Sequence, residues 1–365
     1  MTAGAISPGA GARAWAPETV TDEPYNAQTP TAALAEPVTP AGALFVRDHF
    51  GIPRATPRTW RLRLEGAVAA PFSLGHRELA ALPHRELDVV VECAGNGRSL
   101  MTPRPPGVPW TQRAVGCAHF AGVPFHVLAS RARIDPAAVE IVFAGADSGS
   151  VHGRTVAFER SLPLDAALHP DTLLATHMNG EPLAPEHGAP VRLVVPGRYA
   201  VADVKWLVEA RAVTRPFTGV FQADDYVYVA SRGTPDGPVT TLRVKSLITE
   251  PEADSALRRG RGILVRGRAW SGAGRAVRRV DVRAELLEAG TTAGAAPWLR
   301  AELDRPSGAY AWTGWSCRWT PERPGPYRLI ARATDDSGES QPLRAPWNAH
   351  GYGCNQVASV EVVVV

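Results

Sequence analysis

The sequence predicts an α+β protein in which a mixed α/β domain is followed by an all-β, immunoglobulin-like sandwich domain. Its 365 residues are about two to three times the length of a typical single domain, so we expect two domains with separate hydrophobic cores. Over residues 41–245, short strand-like and helix-like runs mix and are interrupted by proline and glycine. Over residues 246–365, strand-like runs alternate with turns at short intervals. The first region lacks a regular strand–helix–strand rhythm, which favours α+β over a doubly wound parallel sheet.

Residues 1–40 precede both domains. They are rich in alanine, glycine, proline and threonine and contain no continuous apolar run. This composition predicts a mobile arm, and the missing apolar run argues against a signal peptide.

Within the first domain, clusters of β-branched residues between turn signals predict buried strands at residues 89–91, 139–143 and 191–195. Brief helices are predicted at residues 79–82, 125–130 and 162–168. The GxGxxG and GxxxxGK[ST] patterns are absent from the sequence, so nothing favours a dinucleotide or P-loop site.

The second domain begins where the pattern changes, around residues 246–252. Residues 263–269, 280–287, 327–333 and 357–365 alternate apolar and polar side chains, as sandwich strands do. The cysteine pair of a true antibody domain is absent at its usual spacing.

Composition excludes several classes of protein. With 39 Lys and Arg against 36 Asp and Glu, the chain lacks the basic excess typical of nucleic-acid binding. An apolar stretch of about 18 to 20 residues, as a membrane span needs, is also absent. Because the sequence shows no export signal, we expect a soluble, cytoplasmic protein. The four cysteines, Cys93, Cys117, Cys317 and Cys354, are too irregularly spaced for a disulfide framework or a structural zinc site.

Cys93 is the strongest candidate for chemistry. It follows the predicted strand at residues 89–91 and opens the turn Ala94-Gly95-Asn96-Gly97. Such a turn tolerates positive φ angles and can gather backbone N–H groups around an anion, and Arg98 adds a positive charge. These features favour a thiolate, which is a transition-metal ligand or a nucleophile. A small buried cysteine in a tight turn is an equally good interpretation on chemistry alone.

The string Cys93-Ala94-Gly95-Asn96-Gly97-Arg98 resembles the molybdenum-ligand motif of the sulfite oxidase family. Further segments resemble the same family in the same order: Phe45-Val46-Arg47-Asp48-His49, with Asp48 in place of the usual asparagine, Gly145-Ala146-Asp147-Ser148, His177 to Leu183, Glu186 to Arg192, Val195-Pro196-Gly197, Val204-Lys205-Trp206-Leu207 and Ala345 to Gly351. Together they extend over residues 43–365. An ordered set of matches is far more specific than any one motif.

The resemblance implies a molybdopterin cofactor whose molybdenum is bound by the Cys93 thiolate. The residues that it implies for cofactor binding are Phe45, Arg47, His49, Arg98, Asp147, His187, Arg192, Asp203, Val204 and Lys205. Their chemistry suits such a ligand, since arginine and lysine pair with phosphate. Histidine nitrogens can donate, and a carboxylate can accept from pterin amino groups.

The resemblance also implies oxidation of sulfite to sulfate, with Arg47, Tyr226 and Cys93 as the catalytic residues. Arg47 would attract a small anion, and the Tyr226 hydroxyl would hydrogen-bond to the substrate. A second substrate arginine of the family falls at Thr313, which carries no charge; Arg318 is a possible replacement. Since no haem domain precedes the motifs, the electron acceptor would be external, such as a c-type cytochrome or oxygen. The all-β domain would pair two chains into a homodimer.

Three alternatives stay open. The departure at Thr313 favours a related molybdenum oxotransferase that acts on a different small oxo substrate. A non-enzymatic binding or adhesion protein would use the sandwich domain as its interaction module and would leave Cys93 merely buried. A cysteine-nucleophile enzyme would need a histidine base near Cys93, and His84 and His119 are the nearest in the sequence.

Overall fold

The computed structural model describes residues 15–230, 233–287 and 296–365. Its strands in the first region are β1 (Glu18–Thr21), β2 (Asn26–Gln28), β3 (Val46–Arg47), β4 (Arg61–Gly66), β5 (Phe72–Gly75), β6 (Arg85–Glu92), β7 (Val115–Pro124), β8 (Glu140–Val151), β9 (Arg154–Pro163), β10 (Leu173–Met178), β11 (Glu181–Pro182), β12 (Arg192–Val194), β13 (Leu207–Val213), β14 (Val227–Val229) and β15 (Pro235–Pro238). The α-helices are α1 (Thr31–Leu34), α2 (His76–Ala80), α3 (Phe125–Ala132), α4 (Leu164–Ala167) and α5 (Val220–Ala223). The 3-10 helices are Ala41–Ala43, Arg98–Leu100, Pro185–His187 and Ala200–Ala202.

Two larger sheets form the frame of the first region. One has the order β11-β10-β7-β6, with β12 also paired to β10, and the other has the order β5-β4-β13-β8-β9. In the second sheet β13 runs parallel to β4 and antiparallel to β8, so this sheet is mixed. The predicted buried strands overlap β6, β8 and β12, and the predicted helices overlap α2, α3 and α4, with ends that differ by up to a few residues. The α+β prediction is confirmed.

The N-terminal segment differs from its prediction as a mobile arm. Residues 1–14 lie outside the described residues, but residues 15–40 pack on the first domain. Strands β1 and β2 form a sheet with β3, and Ala27, Ala33 and Leu34 are almost completely buried. Composition misled the prediction because the few apolar residues of this segment lie against a surface supplied by the rest of the chain.

The second region is a β-sandwich, as predicted. Its strands are β16 (Lys245–Glu250), β17 (Ala256–Leu257), β18 (Ile263–Trp270), β19 (Val277–Leu286), β20 (Leu299–Arg300), β21 (Glu302–Leu303), β22 (Thr313–Trp319), β23 (Gly325–Asp335) and β24 (Ala358–Val364). They form a sheet of order β16-β18-β22-β21 and a sheet of order β17-β24-β23-β19-β20. Val265, Trp315 and Leu329 are among the side chains buried between the sheets.

The two regions share buried apolar surface. The core of the first region continues into Leu247, Trp270, Trp312 and Ala358 of the sandwich. The Trp312 ring lies against Trp270, and its Nε1 donates to the backbone carbonyl of Pro37 at 2.8 Å. The sandwich is therefore attached to the first region through a common core, where separate cores were expected.

All four cysteines are buried and free of disulfide bonds, in agreement with their irregular spacing. Within the described part of the chain, none of the helices is long and apolar enough to cross a membrane.

Candidate active site

A cavity opens in the first region beside Cys93. Ten of the side chains predicted for catalysis or cofactor binding line it. They are Phe45, Arg47, His49, Cys93, Asp147, His187, Arg192, Asp203, Lys205 and Tyr226. These residues come from positions up to 181 apart in the chain (226 minus 45), and only the fold brings them around one space.

Cys93 follows the last residue of β6 and lies at the inner wall of this cavity, 6% exposed. Its turn closes when the Asn96 N–H donates to the Cys93 carbonyl at 2.9 Å. Within the turn, Gly97 has a φ of +90°, and a Cβ there would lie 3.3 Å from the Cys354 sulfur. The predicted need for glycine is confirmed at Gly97.

Burial raises the pKa of the Cys93 thiol. The charges of Arg47 and Arg98 and a hydrogen bond from the Gly95 N–H oppose this effect without overcoming it. The predicted preference for a thiolate therefore does not hold for the protein alone. A bound cation would be needed to favour the ionised sulfur, since metal coordination deprotonates a thiol.

Arg47 is held at the cavity by the N-terminal segment. Its Nη1 donates to Asn26 Oδ1 at 3.2 Å and to the backbone carbonyl of Asp48. The same Asn26 oxygen accepts from the Asp48 N–H at 3.2 Å. Asn26 is 1% exposed, so this clamp is inaccessible to water.

Tyr226 and His49 form a pair in the lining of the cavity, with 2.7 Å between the Tyr226 hydroxyl and His49 Nε2. Burial, reinforced by the Arg47 charge, places the His49 pKa well below its ordinary value, so this ring is neutral. Burial also raises the Tyr226 pKa, so its hydroxyl keeps the proton. The pair joins a neutral acceptor to a protonated hydroxyl beside Cys93 and Arg47.

The far end of the cavity is polar. Burial lowers the His187 pKa to about 3, which leaves the ring neutral. Its Nε2 lies 3.2 Å from the Ala41 carbonyl, and because a carbonyl only accepts, that nitrogen must carry the proton. The other ring nitrogen is therefore an acceptor, whereas the sequence suggested that His187 donates to a ligand.

Arg192 and Lys205 supply positive charge to this end. Arg192 Nη2 lies 3.8 Å from Asp203 Oδ2, and Lys205 Nζ contacts Asp48 and donates to the Glu186 carbonyl at 2.9 Å. Burial raises the Asp203 pKa to about 6 and opposes its pairing with Arg192.

The chain matches two domain families in succession. Residues 49–221 match the oxidoreductase molybdopterin binding domain, and residues 237–364 match the Mo-co oxidoreductase dimerisation domain. Sulfite oxidase of Gallus gallus is 32% identical over 354 residues, which cover 90% of this chain and 74% of the chicken protein. The chain belongs to the sulfite oxidase family.

Two further similar proteins extend the comparison. Mitochondrial sulfite oxidase of Rattus norvegicus is 34% identical over 364 residues, 94% of this chain. The present chain spans 64% of the length of that relative. The crystal structure of the sulfane dehydrogenase SoxCD from Paracoccus pantotrophus superimposes with a TM-score of 0.79 at 28% identity, over 92% of this chain and 83% of that one.

The cavity suits the molybdenum cofactor of the sulfite oxidase family. Asp48 Oδ2, Asp147 Oδ1 and Arg192 Nε are buried and have no hydrogen-bond partner among the described residues. Buried polar atoms are normally paired, so such atoms beside a cavity indicate a missing polar ligand. An acceptor at Asp147 and donors at Arg192 match a ligand with amino groups and a phosphate. The residues present therefore fit this cofactor.

Two predicted cofactor residues, Arg98 and Val204, are absent from the cavity lining. Arg98 donates from Nε to the His350 carbonyl at 2.8 Å and from Nη1 to the Val108 carbonyl at 2.9 Å. Val204 is fully buried, and its carbonyl accepts from the Leu193 N–H.

Thr313 and Arg318 do not line the cavity either. Thr313 is a buried residue of β22, paired with Ala269, and Arg318 is an exposed residue of the same strand, paired with Leu264. Arg318 therefore does not replace the missing arginine in this structure.

The sequence did not reveal several residues in or beside the site. Glu186 and Trp206 line the cavity and lie inside motifs that were recognised, so their neighbours could have pointed to them. Arg160 had no such signal. It is 3% exposed, donates to the carbonyls of Phe221 and Val239, and lies 5.7 Å from the Tyr226 ring centre.

Proposed function

We propose that this protein oxidises sulfite to sulfate by oxo transfer and passes the electrons to an external acceptor. The observation that supports this most is the convergence of Cys93, Arg47 and Tyr226 on one cavity. When bound, the molybdenum cofactor supplies a two-electron redox centre that can exchange an oxygen atom with the substrate. The Cys93 thiolate is the proposed protein ligand of that metal, because sulfur is a strong donor for transition metals.

Arg47 and Tyr226 bind and orient the anion. The fixed guanidinium of Arg47 attracts sulfite and forms charge-assisted hydrogen bonds with its oxygens. The Tyr226 hydroxyl forms a hydrogen bond with His49. When this hydroxyl rotates away from His49, it can donate its proton to a substrate oxygen in a hydrogen bond. Because Arg47 is clamped by Asn26, its charge is already in place before substrate arrives.

The remaining polar residues of the cavity hold the cofactor. Arg192 and Lys205 bind its phosphate, Asp147 accepts from its amino groups, and His187 and Asp203 shape the polar end. Phe45 and His49 complete the lining. We further propose a homodimer formed by the sandwich domain, and an external acceptor such as a c-type cytochrome.

A second candidate is a related molybdenum oxotransferase with a different small oxo substrate. Thr313 motivates it, because neither Thr313 nor Arg318 adds a positive charge to the cavity. Fewer charge-assisted bonds would weaken the binding of a dianion. The sulfane dehydrogenase SoxCD, which is 28% identical to this chain, is consistent with a different sulfur substrate.

A steady-state assay of the molybdenum-loaded protein with sulfite and an artificial electron acceptor tests the proposal. We expect turnover that Cys93→Ser abolishes, together with loss of thiolate-to-metal absorption. Cys317→Ser is the matched control, because Cys317 is also buried but belongs to the sandwich core. Turnover of another sulfur or oxo compound in place of sulfite would favour the second candidate. An unchanged spectrum of Cys93→Ser would remove the proposed metal ligand.

A further inference from the structure

A buried ion pair joins the sandwich to the turn that follows Cys93. Lys245 Nζ lies 2.9 Å from Glu92 Oε1, and their side chains are 2% and 1% exposed. Glu92 is the last residue of β6 and directly precedes Cys93, whereas Lys245 is the first residue of β16 in the sandwich. With Asn96 and Trp270 these residues form a group that we call the Glu92 cluster.

Every member of the Glu92 cluster has its polar atoms paired. Glu92 Oε1 also accepts from Asn96 Nδ2 at 2.9 Å, and Glu92 Oε2 accepts from Trp270 Nε1 at 2.8 Å. Lys245 Nζ donates a second time, to the Asn96 carbonyl at 3.1 Å. Lys245 therefore contacts both the residue before Cys93 and the turn after it.

The strand register of the sandwich places two hydrogen-bond donors, Lys245 Nζ and Trp270 Nε1, beside Glu92. Lys245 pairs with Trp270 across β16 and β18, and directly opposed residues of antiparallel strands present their side chains on the same face. Asn96 connects the Glu92 cluster to Ala114, because its Oδ1 accepts from the Ala114 N–H at 3.0 Å. The Cys93 N–H in turn donates to the Ala114 carbonyl at 2.9 Å.

A buried ion pair is poor evidence for a role in stability. The cost of removing two charges from water often exceeds their attraction, and apolar replacements can be equally stable. Such a pair does fix geometry, because each charge tolerates only a few positions of the other. Without Lys245, moreover, the Glu92 carboxylate would be an uncompensated negative charge one residue from the Cys93 sulfur.

We propose that Lys245 is a positioning residue for Cys93, through which the sandwich domain sets the conformation of the cysteine turn and neutralises the charge beside it. This inference rests on the proposed role of Cys93 as the metal ligand. It makes the second domain part of the support of the active site, in addition to its match to a dimerisation domain.

Three variants test the inference in the molybdenum-loaded protein. Lys245→Met leaves the buried Glu92 carboxylate without a positively charged partner. The double variant Glu92→Gln with Lys245→Gln removes both charges. It provides a folded protein for the test if Lys245→Met does not fold. Arg266→Met is the matched control, because it breaks the exposed Arg266–Glu250 ion pair of the same sheet, with 2.6 Å between its atoms.

For Lys245→Met we expect kcat to fall about 10- to 100-fold, as for residues that orient a metal ligand. We also expect altered thiolate-to-metal absorption and a lower reduction potential, because a nearby negative charge favours the oxidised metal. The double variant should recover the potential but keep a reduced kcat, since the side chain of glutamine is shorter than that of lysine and cannot reach both partners. Arg266→Met should match the wild type in kcat, absorption and reduction potential.

The inference is overturned if the folded Lys245→Met protein, or the double variant when the single one does not fold, keeps wild-type kcat and absorption. Loss of thermal stability alone would also overturn it, because that would show a purely structural pair. Cys93→Ser distinguishes failure of this inference from failure of the proposed function. If its absorption is unchanged, the proposed ligand is wrong whatever the Lys245 variants do.

Discussion

Burial sets the protonation of single side chains around the cavity more than their charged neighbours do. It keeps His49 and His187 neutral and raises the pKa of Asp147 to about 7 and of Asp203 to about 6. A polar ligand that binds beside these two carboxyls would change their protonation. The site is therefore adapted to a ligand that supplies hydrogen-bond donors and negative charge at separate points.

Replacing Asp147 by asparagine should have opposite effects on stability and on cofactor binding. In the cofactor-free fold the Asp147 pKa is about 7, above the ordinary 3.8 of the unfolded chain. A raised folded pKa gives a stabilising contribution that is complete below about pH 4 and is lost as pH rises through about 7. This change is worth up to about 4 kcal/mol. Asp147→Asn should therefore stabilise the cofactor-free protein at pH 8 and change it little at pH 4.

Chemical unfolding of the cofactor-free protein at both pH values measures this effect. The same variant should retain less cofactor, because asparagine offers a weaker acceptor to amino groups. Asp224→Asn, which alters a 52% exposed side chain of the same region, is the control. Equal pH dependence in Asp147→Asn and the wild type would contradict the prediction.

Among the structural elements, the N-terminal strands matter most for function beyond what was predicted. Strand β2 pairs with β3, and the register sets Asn26 opposite Arg47. That pairing places an amide oxygen where it accepts from both the Arg47 guanidinium and the Asp48 N–H. A segment with the composition of a linker thus orients the proposed substrate arginine.

Asn26→Ala should raise KM for sulfite by about tenfold, the equivalent of about 1.4 kcal/mol. Loss of the Asn26 amide frees the Arg47 guanidinium and leaves the buried Asp48 N–H without an acceptor. The unpaired N–H should also lower the free energy of unfolding by about 1 to 3 kcal/mol. Steady-state kinetics and chemical unfolding measure the two effects. Thr21→Val is the matched control, since it removes the 2.8 Å bond from Asn26 Nδ2 and leaves the clamp intact. Equal KM values for both variants would show that the clamp has no role in binding.

For the whole molecule, the common core predicts cooperative unfolding. Trp270, Trp312 and Leu247 of the sandwich belong to the same buried cluster as the core of the first region. Neither region can lose this contact without exposing large apolar surface. Calorimetry of the cofactor-free protein should therefore show one transition. Two well-separated transitions would indicate that the regions unfold independently.

The sequence by itself determined the order of the domains, the family and most of the residues around the cavity, because motifs and hydrophobic periodicity are local properties of the chain. The motifs identify Cys93, Arg47 and Lys205 without any distance between them. Only the tertiary structure decided which residues meet. It removed Arg98 and Arg318 from the cavity lining, ordered residues 15–40, and placed Lys245 against Glu92. Burial, protonation and contacts between distant segments depend on neighbours that the fold supplies, and no local pattern encodes them.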